Sequence, residues 1–157
     1  KGDSCHFHSI QPGFRDEAWT IRARIGPRIS DGVILHHNGN FAGYGIYVQD
    51  GKLMMTVMDV ERPLQWDRLF PQRQTIVANK PLEPGKAYSI VARLESDGQM
   101  VLVIDGEEVA RRPGRLLSIH PVGSMTCGKA DEDYLPIGKF EPPFDFSGDI
   151  ESVTVSR

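Results

Sequence analysis

Asp31-Gly-Val-Ile-Leu-His-His-Asn-Gly-Asn-Phe-Ala-Gly-Tyr-Gly-Ile-Tyr-Val-Gln-Asp-Gly-Lys-Leu53 is the stretch whose reading decides the fold. It begins with the aliphatic run Val33–His37, passes a Gly- and Asn-rich segment, resumes at Gly45–Gln49 and turns at Asp50-Gly51 into Leu53–Val60. β-Branched and aromatic side chains suit a pleated surface, and Asp-Gly supplies the positive φ angles of a tight hairpin turn. The pattern predicts strands joined by turns, and it continues in both directions.

Upstream, Trp19, Ile21, Ala23 and Ile25 alternate with Thr20, Arg22 and Arg24, the period of a half-buried strand. Downstream, Tyr88, Ile90, Ala92 and Leu94 alternate in the same way, and Gln74–Ala78, Met100–Ile104 and Ile150–Val155 are further strand-like runs. Asp97-Gly98 and Asp105-Gly106 each separate two such runs, while Pro81, Pro84 and Gly85 break the chain before Tyr88 and Pro142-Pro143 before the last run. Eleven Pro and sixteen Gly leave little room for helices. The stretch without strand character is Arg62–Arg73, which holds Pro63 and Pro71. Many short strands at close spacing predict an all-β sandwich or barrel. With no composition shift or repeat, residues 1–157 are expected to form one domain.

Composition narrows the function classes. A formal net charge of −3, with Lys and Arg scattered singly among acids, gives no basic face for nucleic acid. No apolar run approaches the roughly 20 residues of a membrane helix. The chain starts at Lys1 without an initiator Met or a secretion core, which reads as a mature product or a piece of something larger. Its two cysteines, Cys5 and Cys127, lie too far apart in sequence for a zinc signature. They are read either as one disulfide tying the N-terminal segment to a late strand, or as two thiols packed as small hydrophobes.

Three segments carry a resemblance. The run 31–53, the hairpin Leu102-Val-Ile-Asp-Gly-Glu-Glu-Val-Ala110 and the ending Phe144-Asp-Phe-Ser-Gly-Asp-Ile-Glu-Ser-Val-Thr-Val155 occur in the order seen in the concanavalin A-like lectin/glucanase superfamily. Together they cover most of the chain from Trp19 to Val155. The chain resembles the laminin-G-like jelly rolls of that superfamily, and in particular the accessory domain that follows the catalytic domain in some bacterial sulfatases. The resemblance implies a two-sheet antiparallel sandwich in an extracellular or periplasmic protein, acting as a non-catalytic module for carbohydrate, sulfated glycans included. The alternatives are a structural module docked on the parent protein's catalytic domain and a glycoside hydrolase. In such a fold the glycines from Gly39 to Gly45 are expected to turn the chain between sheets.

The residues speak against catalysis. Retaining glycoside hydrolysis needs two carboxylates about 5 Å apart, and in the glucanases that the chain resembles an E-x-D-x-E strand supplies them. No such strand occurs: Asp131, Glu132 and Asp133 are consecutive, while Asp59 and Glu61 share a parity but are followed at once by Arg62-Pro63. The sulfatase Cys/Ser-x-Pro-x-Arg nucleophile is also missing, and Ser4-Cys5-His6-Phe7-His8 departs from it. His6 and His8 have the spacing of ligands on one strand face, or are simply solvated.

The ligand candidates are loop residues. Trp66 lies in the irregular Pro-bracketed stretch and is the best ring for stacking on a sugar, with Arg68 and Arg73 nearby for a sulfate or carboxylate. The same ring equally suits pinning its loop to the sandwich. Tyr44 and Tyr134 flank loops, and His37, Asn38 and Asn40 are placed in the Gly-rich loop, with His36 as a sheet residue beside it. Relatives with this fold often hold calcium, for which Asp131 and Asp133 would offer oxygens; a solvated acidic loop is the plainer account of these residues.

Overall fold

The computed structural model describes residues 5–7, 14–60 and 70–157. Among them the elements run β1 (Cys5–Phe7), β2 (Trp19–Ile25), β3 (Gly32–His37), β4 (Gly43–Gln49), β5 (Lys52–Asp59), β6 (Gln72–Val77), β7 (Tyr88–Leu94), β8 (Gln99–Ile104), β9 (Glu107–Pro113), β10 (Met125–Cys127) and β11 (Ile150–Ser156). They build two antiparallel sheets, a six-stranded one in the order β1-β10-β3-β4-β5-β6 and a five-stranded one in the order β11-β2-β7-β8-β9. The all-β, two-sheet sandwich expected from the strand periodicity and the resemblance is what forms.

The five-stranded sheet follows the simple rule of one wet and one dry face. In β2, Trp19, Ile21, Ala23 and Ile25 are buried while Arg22 and Arg24 are exposed. β7 buries Tyr88, Ile90, Ala92 and Leu94 in the same alternation. These side chains meet Leu35, Tyr44, Ile46, Val48, Leu53, Met55 and Val57 of the other sheet in the main core. Removing this much apolar surface from water is what chiefly holds the two layers together.

The six-stranded sheet breaks the rule. β3 is buried along its whole length, and β4 and β5 nearly so. Its outer face is covered by the segment that follows β10, so that Val33, Tyr47, Ala130, Ile137 and Phe140 form a second, smaller core outside the sandwich, with Met54 and Phe144 packed against it. Phe140 meets Tyr47 edge-on at 5.1 Å and stacks on Phe144 at 4.7 Å. Offset and edge-on ring pairs of this kind add about 0.5–1.5 kcal/mol beyond their buried area.

The expected role of Gly39–Gly45 as a turn between sheets is corrected here. β3 and β4 are neighbours within one sheet, and Gly43 and Gly45 lie inside β4. Their missing side chains make room for the covering segment: a Cβ on Gly45 would stand 2.6 Å from Ile137 Cδ1, and one on Gly43 2.9 Å from Ile137 Cγ2. The glycines are there for close packing, not for a bend.

The hairpins refine the Asp-Gly reading. Asp50 and Gly51 (φ 53 and 70) and Asp105 and Gly106 (φ 51 and 82) are left-handed pairs, as a two-residue type I′ turn demands. At the third hairpin Gly98 is left-handed (φ 85) and Asp97 is not, and a longer turn closes through the bonds from Glu95 N to Gln99 O and from Gly98 N to Glu95 O. The first turn is pinned from outside, since Asp31 accepts from Asp50 N at 2.8 Å and Gly51 N at 3.0 Å.

Gly45→Ala is expected to cost about 2–4 kcal/mol in urea denaturation, because neither the β3 backbone nor Ile137 can yield to a methyl group. Gly106→Ala, at a left-handed position where an added Cβ meets nothing within 4 Å, is expected to cost only about 1 kcal/mol.

Candidate functional site

Three of the residues expected to meet a ligand belong to the interior. Tyr44 shares its parity with Ile46 and Val48 and so faces the main core, where it is fully buried. Its ring packs 4.7 Å from Trp19 and 5.6 Å from Phe14, and burial pushes its phenol far up. His37 ends β3 rather than standing in a loop, is likewise buried, and bonds through Nδ1 to the Tyr44 hydroxyl at 3.2 Å. Asn38 is buried and donates Nδ2 to the Leu135 carbonyl at 3.2 Å. These three hold the end of the sandwich together and present nothing to a ligand.

The others are distributed. Asn40 is exposed, and Tyr134 is half-buried with its ring against Gly123. Trp66 and Arg68 lie outside the described residues, as do His8 and Glu61. Asp131 Oδ1 accepts from Asp133 N at 3.0 Å. Burial, the largest influence on Asp131, pulls its carboxyl up, but the Asp133 and Ser124 donors and the facing His36 outweigh it and hold the group below its ordinary value. Among the described residues no three His, Cys, Asp or Glu side chains gather as metal ligands. Asp131 and Asp133 thus close a turn through the Asp131 Oδ1 bond to Asp133 N.

His36 points away from the main core, opposite Gly45 and Thr126 on the outer face of the six-stranded sheet. It is fully buried there, and neither ring nitrogen has a hydrogen-bond partner among the described residues. Burial depresses His36 and His37 to about 4 from an ordinary 6.5. Asp59, the acid of interest for hydrolysis, is buried on the inner face and accepts from Ser118 N at 3.0 Å and Ser118 Oγ at 2.9 Å. Burial raises its pKa and the two Ser118 donors offset part of that rise. With both oxygens occupied, it fastens the 114–124 segment to β5 and is not free for acid–base work.

An open groove remains, on the outer face beside the second core. It encloses about 430 Å³ and is lined by Tyr47, Gln49, Asp50, Met54, Arg73, Thr75, Arg112, Gly138 and Lys139. Its floor is a row of hydroxyls across three strands, Tyr47 to Thr56 at 3.1 Å and Thr56 to Thr75 at 2.7 Å. Arg73 donates Nε and Nη2 to the Pro136 carbonyl at 3.1 and 2.9 Å, and Gln49 donates to the Lys139 carbonyl at 3.2 Å, so both sides of the groove are tied to the 136–139 segment. Arg112 reaches across from the other sheet to the Thr75 carbonyl at 3.4 Å.

The groove gathers three cations that lack acid partners among the described residues. Arg24, Arg28, Lys80, Lys86, Arg111 and Arg157 each stand within 4.0 Å of a carboxylate. Arg73, Arg112 and Lys139 make no such pair among the described residues, and Asp50 is the sole acid lining the groove. A second hollow of about 280 Å³, lined by Lys80, Lys86 and Tyr88, has its lysines paired with Glu107 and Asp105. Cations left without partners in a concave, partly apolar site are available to an anion, and guanidinium matches the two oxygens of a carboxylate or sulfate. Arg73 was visible as a candidate from sequence, whereas Arg112 and Lys139 were not, because the three come from distant parts of the chain.

The stability that depends on neutral His36 and His37 is fully present above pH 6.5 and is lost progressively as pH falls from there to about 4. Denaturation at pH 5 is therefore expected to give a stability on the order of 2–4 kcal/mol below that at pH 7, and His37→Gln is expected to remove about half of the difference.

No protein-family model matches this chain, and no curated protein matches it. Solved structures do. The native heptameric SAP-like pentraxin from Limulus polyphemus aligns over 97% of this chain and 68% of its own, with a TM-score of 0.63 and 20% identity. Domains LG4-5 of the mouse laminin alpha1 chain align over 94% of this chain and 37% of theirs, with a TM-score of 0.69 and 18% identity. The binding domain of botulinum neurotoxin DC, in complex with SialylT, aligns over 70% of this chain and 27% of its own, with a TM-score of 0.52 and 16% identity. This chain thus spans little more than a third of the laminin structure and about a quarter of the toxin domain. At these identities the likeness shows the architecture, and the protein has the fold of the concanavalin A-like jelly rolls found in laminin G-like domains and pentraxins.

Proposed function

We propose that this chain is a non-catalytic carbohydrate-binding module that takes acidic glycans, sulfated or carboxylated, in the groove on the outer face of the six-stranded sheet. The observation that carries the reading is the set of three cations, Arg73, Arg112 and Lys139, standing without acid partners around one hollow. Arg112 and Lys139, both lining the groove, would hold the anionic group. The half-buried Met54 side chain offers apolar surface to a sugar ring, and the Thr75 hydroxyl and Gln49 amide meet its hydroxyls. A jelly roll of the same architecture occurs in complex with SialylT, which supports a ligand-binding role for the fold without assigning one to this chain. Trp66 and Arg68, which precede β6 in sequence, stay candidates for the same ligand on their chemistry alone. The wider setting in this reading is an accessory domain of a secreted carbohydrate- or sulfate-ester-processing protein, extracellular or periplasmic.

A second reading, docking onto the parent protein's catalytic domain, is favoured by a different surface. Phe41, Val122 and Leu135 are exposed on loops that meet around Asn38 and Gly39. Exposed apolar side chains drawn together at one end of a domain suit a protein neighbour.

Titration calorimetry against heparin, chondroitin sulfate and a desulfated control distinguishes the two. Arg112→Gln with Lys139→Gln is expected to weaken sulfated-ligand binding at least about tenfold, and wild-type affinity is expected to fall several-fold on raising salt from about 50 to 300 mM. Chelator is expected to leave affinity unchanged. No binding to any acidic glycan, or full binding by the double variant, would remove the groove from consideration. Loss on Trp66→Ala alone would move the site to the Trp66 stretch.

A further inference from the structure

The register of the six-stranded sheet places Cys5 of β1 directly opposite Cys127 of β10, with His6 opposite Thr126 and Phe7 opposite Met125. Residues so opposed in an antiparallel pair share a face and have Cα atoms about 4.5–5.5 Å apart. That separation falls inside the roughly 4.4–6.8 Å range over which a disulfide closes without moving backbone. These are the only two cysteines of the chain. They are far apart in the sequence, yet the fold puts them in register on neighbouring strands.

The surroundings favour a bond. Cys127 packs against the main core, two residues from the buried Met125, so a link at this position is shielded from solvent reductants on its inner side. β1 has three residues and pairs with β10 alone among the described strands. Three residues of edge ladder are a weak hold for a terminal segment, and a covalent tie supplies what the ladder lacks.

We infer that Cys5 and Cys127 form an intrachain disulfide that fastens the edge strand β1 to β10. It forms by exchange with a disulfide donor such as oxidised glutathione. One thiolate attacks the donor and releases a donor thiol; the second then attacks the mixed disulfide and releases the other. Two protein thiols are oxidised to one S–S bond, the donor disulfide is reduced to two thiols, and the two protons pass to solvent and the departing thiolates. The bond closes residues 5–127 of the 157 into one long loop, which restricts the unfolded state strongly. It also keeps β1 over the β10 edge, where an unpaired ladder would otherwise recruit other chains. Such a bond persists in an oxidising compartment.

The test is peptide mapping of the full chain after equilibration with reduced and oxidised glutathione, followed by thermal melting with and without reductant. The expected result is a linked peptide pair containing Cys5 and Cys127, two hydrogens lighter than the separate peptides, with no thiol titrating in denaturant. Reduction is expected to lower the melting temperature by about 10 °C, and the Cys5→Ser, Cys127→Ser variant, melting near the reduced protein, is expected to ignore the reductant. Recovery of two free thiols after equilibration, or of cysteines linked between chains, would overturn the bond. A bond whose reduction leaves melting unchanged would overturn its role in fastening β1.

Discussion

The seat of Ile137 in the gap left by Gly43 and Gly45 is the contact on which the rest of the outer surface depends. An added Cβ at either glycine would meet Ile137 at under 3.0 Å, closer than real carbon contacts come. With Ile137 in place, the segment after β10 lies flat on the sheet and Phe140 reaches Tyr47. The Pro136 carbonyl then stands where Arg73 can grip it. The groove wall at Gly138 and Lys139 follows from the same placement. A sandwich with that face bare would expose Val33 and Tyr47 to water. The covering segment turns an apolar face into a second core and leaves an open edge beside it.

Charge is unevenly spread over the surface. On the outer face of the five-stranded sheet and around its turns, Arg24, Arg28, Lys80 and Arg111 find carboxylates within 3.0 Å. Exposed pairs like these contribute little to stability, typically about 0–1 kcal/mol each, but they do leave those surfaces locally neutral. The groove is positive by contrast, although the whole chain carries a net charge of −3. A local field of opposite sign to the net charge favours encounter at one place rather than attraction everywhere.

Much of the architecture was legible in the sequence because period-2 alternation is a direct image of the pleat. β2 and β7 occupy Trp19–Ile25 and Tyr88–Leu94, where the alternation stands. β1 and β10, three residues each, are too short to show any period, and their pairing exists only in three dimensions. The site was harder for a different physical reason. A run dense in Gly and Asn reads as loop, which drew His37 and Asn38 to the surface, whereas Gly43 and Gly45 thin a strand so that something else can lie on it. The parity of Tyr44 with Ile46 and Val48 was the available signal that its ring faces inward. Nothing local in the sequence links Arg73, Arg112 and Lys139, because side chains brought together from separate strands leave no spacing to read.

That dispersal has an evolutionary meaning. Arg73, Arg112 and Lys139 come from β6, from β9 of the opposite sheet and from the covering segment, and each is exposed to solvent while the hydroxyls beneath them are packed. All three side chains lie on the rim and belong to neither core, and no two are close enough in sequence to be inherited as a unit. The chemistry of the groove rim is therefore free to drift one side chain at a time, on a platform whose interior is under quite different constraints.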